Sequence, residues 1–132
     1  MDIDLLSGAV IGAAVRLHQR LGPGLLESVY EDLLTASLRA SGHVVEQQKL
    51  VTFKFDGLVF EQGLRLDLLV DRRLVVELKS IEKCAPVHRK QVLTYLRLMD
   101  LPVGLLLNFG AETMHQGITR IVNNHKPSAP LR

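Results

Sequence analysis

The stretch RLDLLVDRRLVVELK, residues 65–79, decides the fold. Leu66, Leu68 and Val70, with Leu64 before them, alternate with Arg65, Asp67 and Leu69; Leu74, Val76 and Leu78 alternate with Glu77 and Lys79. A period of two marks strands. Asp71-Arg72-Arg73 between them reads as a turn. A three-residue turn closed by a Val70–Leu74 pair sets Asp67 opposite Glu77 and Arg65 opposite Lys79, with opposed Cα atoms roughly 4.5–5.5 Å apart. A two-residue turn would instead send Asp67 and Glu77 to opposite faces. Facing carboxylates destabilise a strand pair, and a divalent cation between them reverses that sign. The other reading is a solvated face of mixed charge, with Lys79 salt-bridged to Glu77. These residues alone leave both open.

Outward from this hairpin the pattern changes. Asp4 to Leu21 carries a helical stripe of Leu6, Val10, Ala13, Ala14, Leu17 and Leu21, with Asp4 as the expected N-cap. Gly22-Pro23-Gly24 breaks the helix, and Leu25 to Ala40 reads as a second one, closed by Ser41-Gly42. From Val44 the chain turns to strand, with Val51, Phe53 and Phe55 alternating with Thr52 and Lys54. Asp56-Gly57 signals a hairpin. Leu58–Glu61 continues the sheet, and Leu64–Val70 and Leu74–Lys79 are two further strands. Pro86 suits the first turn of a third helix running to about Met99. Leu101 to Phe109 has the length of a buried strand, ended by Gly110. Met114 to Val122 reads equally as a strand or a short helix. The order predicts an α+β or mixed α/β plan, a central sheet flanked by helices. One domain over residues 1–125 and a loose tail over 126–132 are expected.

Composition bounds the function. At 132 residues, 47% hydrophobic and 23% charged, the chain suits one core. A net charge of +2 is compatible with nucleic acid without requiring it. The single cysteine, Cys84, excludes an intramolecular disulfide and a four-cysteine metal site, and a reducing cytoplasm is the expectation. Leu5 to Val15 is apolar, but Asp2 and Asp4 precede it where a signal peptide needs positive charge. It is also too short to span a bilayer, so a core helix of a soluble protein without membrane contact is expected. No P-loop or dinucleotide glycine pattern is present. Ser7, Ser28 and Ser80 lack a nucleophile-elbow context. His18, His43, His115 and His125 lack metal-ligand spacing.

Two further polar residues follow apolar stripes. Glu27 lies in phase with Leu34 and Leu38 and near Tyr30, at about 100° per residue. Its position near the helix start suits the dipole, but an inward carboxylate also needs a metal or a cation. Gln91 lies in phase with Val87, Tyr95 and Leu98, where the alternative is an amide bonded to backbone. His88, Arg89 and Lys90 begin the same helix. Arg65, Arg89 and Lys90 are candidates for phosphate contact, the alternative for the helix residues being a solvated first turn.

Gly24-Leu25-Leu26-Glu27-Ser28-Val29-Tyr30 spells G-x-x-E-x-x-Y. With Leu21-Gly22-Pro23-Gly24, residues 65–70, Val76-Glu77-Leu78-Lys79, Pro86-Val87-His88 followed by Gln91, and residues 104–110, the chain resembles the GxxExxY family of the PD-(D/E)XK nuclease superfamily over roughly residues 4–124. The literal Pro-Asp is absent, since Leu66 precedes Asp67. The resemblance implies a restriction-endonuclease-like core. It implies Asp67 and Glu77 as ligands of Mg²⁺ or Mn²⁺, Glu27 as the additional acid from a helix, and Lys79 as the catalytic lysine. Gln91 and Tyr95 match the glutamine and tyrosine of a following helix, Gln91 to hold water or phosphate and Tyr95 at the nucleic acid. The expected activity is endo- or exonucleolytic hydrolysis of DNA or RNA phosphodiesters, in repair, defence or nucleic-acid processing. The competing class is a non-catalytic nucleic-acid-binding or assembly module on the same fold. A domain this small would draw specificity from a homodimer or a partner protein.

Overall fold

The structure, a computed structural model, describes residues 1–125; the expected tail over 126–132 lies outside the described residues. The elements in chain order are α1 (Ile3–Leu21), α2 (Glu27–Ala40), β1 (Val45–Phe55), β2 (Leu58–Val70), β3 (Leu74–Lys79), α3 (Pro86–Met99), β4 (Val103–Asn108), α4 (Met114–Gly117) and β5 (Ile118–Val122). The strands form one sheet in the order β1-β2-β3-β4-β5. β3 and β4 are parallel, bridged by α3, and the other neighbours are antiparallel. The chain is thus an α+β fold with a five-stranded mixed sheet, consistent with a restriction-endonuclease-like core.

Each face of the sheet carries its own apolar cluster. On one, Leu6, Val10 and Ala14 of α1 and Tyr30, Leu34 and Leu38 of α2 pack on Leu68, Val70, Val76, Leu78, Leu105 and Leu107. On the other, Val92 and Leu96 of α3 pack on Leu64, Leu66, Leu69, Val75 and Leu106. Leu74 to Leu78 are therefore buried throughout, as suits a central strand covered on both sides. Among the described residues no helix is long and apolar enough to cross a membrane.

The β2–β3 turn has the expected length. Val70 pairs with Leu74, and Asp71 and Arg72 both take positive φ. Asp71 is fastened from behind: its carboxylate accepts from the Val44 N–H and from His43 Nδ1, each at 2.8 Å. At the β1–β2 turn Asp56 and Gly57 both have positive φ, the geometry of a two-residue hairpin.

Several boundaries differ from expectation. The N-cap of α1 is Asp2, whose carboxylate accepts from the Asp4 N–H at 2.6 Å, not Asp4. Leu21 is exposed, and His18 is buried on the stripe instead, donating through Nε2 to the Ala111 carbonyl at 2.9 Å. α2 starts at Glu27, two residues late, because Leu25 and Leu26 belong to the Gly-Pro-Gly turn. Leu58–Val70 is one strand, not two. Gln62 at positive φ and Gly63 form a bulge that absorbs the break while pairing with β1 resumes at Val51–Leu64. Residues 114–122 are both a helical turn and a strand, joined at Gly117.

Two glycines test this packing. A Cβ at Gly110 would run into the Ile81 backbone, whereas one at Gly8, exposed on α1, meets nothing within 4 Å. Gly110→Ala should lower the unfolding free energy by roughly 2 kcal/mol or more. Gly8→Ala should raise it by about 0.5–1 kcal/mol. Urea denaturation of the two variants checks both signs.

Candidate functional site

The β2–β3 ladder runs Val70–Leu74, Leu69–Val75, Leu68–Val76 and then stops. Asp67 and Glu77 come next in this register, and their side chains take over from the backbone. The Asp67 N–H donates to Glu77 Oε1 at 3.0 Å, and the Leu78 N–H donates to Asp67 Oδ2 at 2.9 Å. β3 continues beyond this point paired only with β4. The two strands form a fork, and its crotch holds two carboxyl groups.

The alternation of β2 also breaks here. Leu64 and Leu66 pack on the α3 side, yet so does Leu69, while Leu68 and Val70 pack on the α1–α2 side. The β1–β2 ladder omits the Gln48–Asp67 pair at the same level. Arg65, which alternates with Leu64 and Leu66, therefore does not share a face with Leu69 as simple alternation predicts, nor does the ladder extend to an Arg65–Lys79 pair.

Charge in the fork is tightly constrained. Glu77 is 6% exposed. Burial, and then the Asp67 charge beside it, push its carboxyl up to about 9. Its hydrogen bond from the Asp67 backbone and the more distant Lys79 oppose this without prevailing. None of the ion pairs among the described residues joins Lys79 to Glu77, so the ordinary salt bridge of the alternative reading is not formed. Lys79 sits at the end of β3, half-buried, with its carbonyl accepting from the Phe109 N–H at 2.8 Å.

Helix α2 brings more acid to the same place. Glu27 is its first residue and half-buried. Its carboxyl is raised by burial, then by Asp67, while Lys79 acts the other way. Sequence reasoning missed Glu31, one turn later and 7% exposed. Burial raises it too, against hydrogen bonds from Gln47 and Gln48. The available signal was the (i, i+4) pair of like charges on one helix face, which an isolated helix disfavours.

A network beneath Glu27 fixes where α2 begins. Tyr30 is fully buried and stacked on Phe109 with ring centroids 4.5 Å apart. Its hydroxyl donates to the Gly22 carbonyl at 2.6 Å and accepts from the Leu25 N–H at 3.2 Å. Ser80, next to Lys79, donates to the Leu25 carbonyl at 2.6 Å. Gly24 completes the turn at φ 115, a region open to glycine. The glycine and tyrosine that flank Glu27 in the sequence thus shape the loop that delivers it.

Helix α3 contributes less than its stripe predicts. Its buried residues are Val92 and Leu96, whereas Val87 and Gln91 are exposed. Gln91 is therefore not inward-facing; the packed face lies one position further round the helix. Gln91 Nε2 donates to the Tyr95 hydroxyl at 2.8 Å. Burial, then Glu77, raises the Tyr95 phenol, with smaller influences from Asp67 and Arg65. Tyr95 thus lies within electrostatic reach of Glu77 and carries Gln91 on its hydroxyl. Arg89 and Lys90 turn away, lining a hollow of about 250 Å³ against Thr119, Arg120 and Ile121 of β5. A larger concavity of about 950 Å³, bounded by Lys83, Arg89, Gly110 and Gln116, also takes in none of Glu27, Asp67, Glu77 or Lys79. A third hollow, of about 460 Å³, is lined by Gly24, Leu25, Leu26, Ser80 and Gly110, the chain neighbours of Glu27 and Lys79 among them.

The donors offered there are all oxygen, the chemistry that hard divalent cations take. The fork also concentrates like charge that protonation of Glu77 relieves, as a cation would. Among the described residues no three His, Cys, Asp or Glu side chains converge closely enough to cage an ion. Asp67 and Glu77 suit a cation that keeps part of its water shell, with Glu27 close by.

A family model of the PD-(D/E)XK nuclease superfamily matches residues 4–121. No curated protein and no solved structure matches.

Two measurements probe this geometry. Between about pH 4.5 and 9 the native state binds a proton at Glu77 that the unfolded chain has lost. Stability is therefore greatest at the acid end and falls as pH rises, by up to about 1.4 kcal/mol per pH unit. The raised carboxyls of Glu27 and Glu31 act in the same direction. With chelator present, Glu77→Gln should flatten this slope in urea titrations from pH 6 to 9. Separately, Tyr30→Phe removes both loop hydrogen bonds and should cost about 1–3 kcal/mol in denaturant unfolding.

Proposed function

The chain belongs to the PD-(D/E)XK nuclease superfamily, and from that premise we propose that it is a divalent-metal-dependent nuclease of the GxxExxY branch, cleaving DNA phosphodiesters at the β2–β3 fork. The observation that carries this reading is the exchange of hydrogen bonds between Asp67 and β3, which holds two acids together where backbone pairing ends. Proteins of this superfamily generally use divalent metal ions.

Asp67 and Glu77 would hold Mg²⁺ or Mn²⁺, with Glu27 supporting the site from α2 rather than adding a third close ligand. Bound there, such an ion supplies an activated water and charge stabilisation at the phosphate. The chain's own residues do the rest. The Leu78 N–H keeps one oxygen of Asp67 turned into the fork. Lys79, unpaired with Glu77, orients the attacking water or stabilises charge developing on the phosphate. Gln91 and Tyr95, hydrogen-bonded to each other, flank the scissile group. Arg65 is a candidate backbone contact, and Arg89 and Lys90 meet the nucleic acid farther out, toward β5. GxxExxY membership accounts for Gly24, Glu27 and Tyr30 acting as one loop-and-helix unit.

The test is a cleavage panel of single-stranded, double-stranded and branched DNA and of RNA, with Mg²⁺ or Mn²⁺. Lys79→Ala should keep the wild-type melting temperature and lose at least about 100-fold in rate. Asp67→Ala should also lose the melting shift that Mn²⁺ produces in the wild type. Full cleavage by folded Lys79→Ala would remove this mechanism. Binding without cleavage across the whole panel would favour the assembly-module reading.

A further inference from the structure

Gln47 and Gln48 are neighbours on β1, and a regular strand sends neighbours to opposite faces. Here both reach α2. Gln47 Nε2 donates to Glu31 Oε2 at 3.0 Å and to Asp32 Oδ1 at 2.8 Å. Gln48 Nε2 donates to Glu31 Oε1 at 2.7 Å and to Asp67 Oδ1 at 3.4 Å. The cause lies in the backbone. Gln48 sits at φ 50, a left-handed conformation that side chains rarely adopt. At that residue the β1–β2 ladder omits its Gln48–Asp67 pair. Strained backbone of this kind persists only where surrounding contacts hold it, and it gathers at functional sites.

The chemistry of the amide fits its place. A primary amide nitrogen carries two N–H groups, and each has a carboxylate. The flipped amide would aim its carbonyl oxygen at both acids, so only one orientation is favourable. Asp67 is then held on both oxygens, Oδ1 by Gln48 from β1 and Oδ2 by the Leu78 N–H from β3. Glu31 is likewise held on both, by Gln47 and Gln48. The two glutamines form a strap from α2 across to the fork.

We propose that Gln48 is a positioning residue for Asp67, its left-handed backbone aiming the amide between Glu31 and Asp67 so that the Asp67 carboxylate is fixed toward Glu77. Its relevance to metal rests on Asp67 being a metal-binding carboxylate, and the experiment separates the two claims. Gln48→Gly removes the amide at a residue whose φ glycine adopts freely, and Gln48→Met keeps the length without donors. Lys54→Ala, on the same strand, is the control.

In the full chain with chelator, amide hydrogen exchange by NMR reads the Leu78 N–H directly. Exchange at Leu78 should quicken by about 10-fold or more in both Gln48 variants, while Val75 and Val76, inside the intact ladder, keep their rates. Unchanged exchange at Val75 and Val76 in Gln48→Gly then shows that the change is local. Mn²⁺ affinity, measured by electron paramagnetic resonance without nucleic acid, should fall about 10–100-fold. Unchanged Leu78 exchange in both variants overturns the proposal. A response at Leu78 with no Mn²⁺ binding even in the wild type upholds the positioning role and removes the metal reading instead.

Discussion

The structure turns on the reciprocal bonding at the β2–β3 fork, where the Asp67 carboxylate takes the Leu78 N–H and the Glu77 carboxyl takes the Asp67 N–H. Two strands that separate inside a protein leave backbone donors without partners, and each such buried group costs free energy comparable to a lost hydrogen bond. The side chains of Asp67 and Glu77 meet that need. The strands can then part without exposing bare amides, and the acids that permit the parting are the groups left in the opening. The same atoms that complete the backbone pairing are those proposed to hold the cation.

The fork imposes demands on its surroundings. Glu77 is buried beside another carboxylate, and burial first, then that neighbouring charge, push its carboxyl up and favour its neutral form. β3 must stay rigid past the last β2 pair, and it does so through β4 and the apolar layers on both faces. Asn108, at the end of β4, accepts from the N–H groups of Ile81 and Gly110 at 3.1 and 3.0 Å and so fastens the chain just beyond Lys79. On the other side, Tyr30 and Ser80 bind the 22–25 turn to the core and to β3. Glu27 thus reaches the fork from a helix whose first turn is tied to the strand carrying Lys79.

Much of this was legible in residues 65–79. Leu and Val at every second position specify strands, but the Val70–Leu74 register and the Asp67–Glu77 apposition followed only for a three-residue turn; β3 is buried on both faces, so a one-residue slip there is not penalised by the apolar pattern alone. Gln91 was misplaced because a stripe drawn through Val87, Tyr95 and Leu98 is only one position from the true face of Val92 and Leu96. Helical phase alone does not separate faces so close together. Glu31 and Gln48 were missed for different reasons. Glu31 has little beyond its (i, i+4) spacing from Glu27 to set it apart from Asp32 beside it. Gln48 acts through a positive φ that nothing in a glutamine announces.

The sequence by itself determined the order of elements and the superfamily resemblance, because alternation, turn residues and helical stripes are local or near-local properties; the structure then chose the three-residue turn. The sequence also placed Asp67, Glu77 and Lys79 on neighbouring strand ends. Only the tertiary structure decided that β2 breaks its alternation around Asp67, that Arg65 and Leu69 take different faces, that Tyr30 anchors the turn before Glu27, and that Gln48 ties Glu31 to Asp67. Each depends on how distant segments satisfy one another's buried polar groups. That balance is struck across space, between residues as far apart in the chain as Glu31 and Asp67, and no local pattern encodes it.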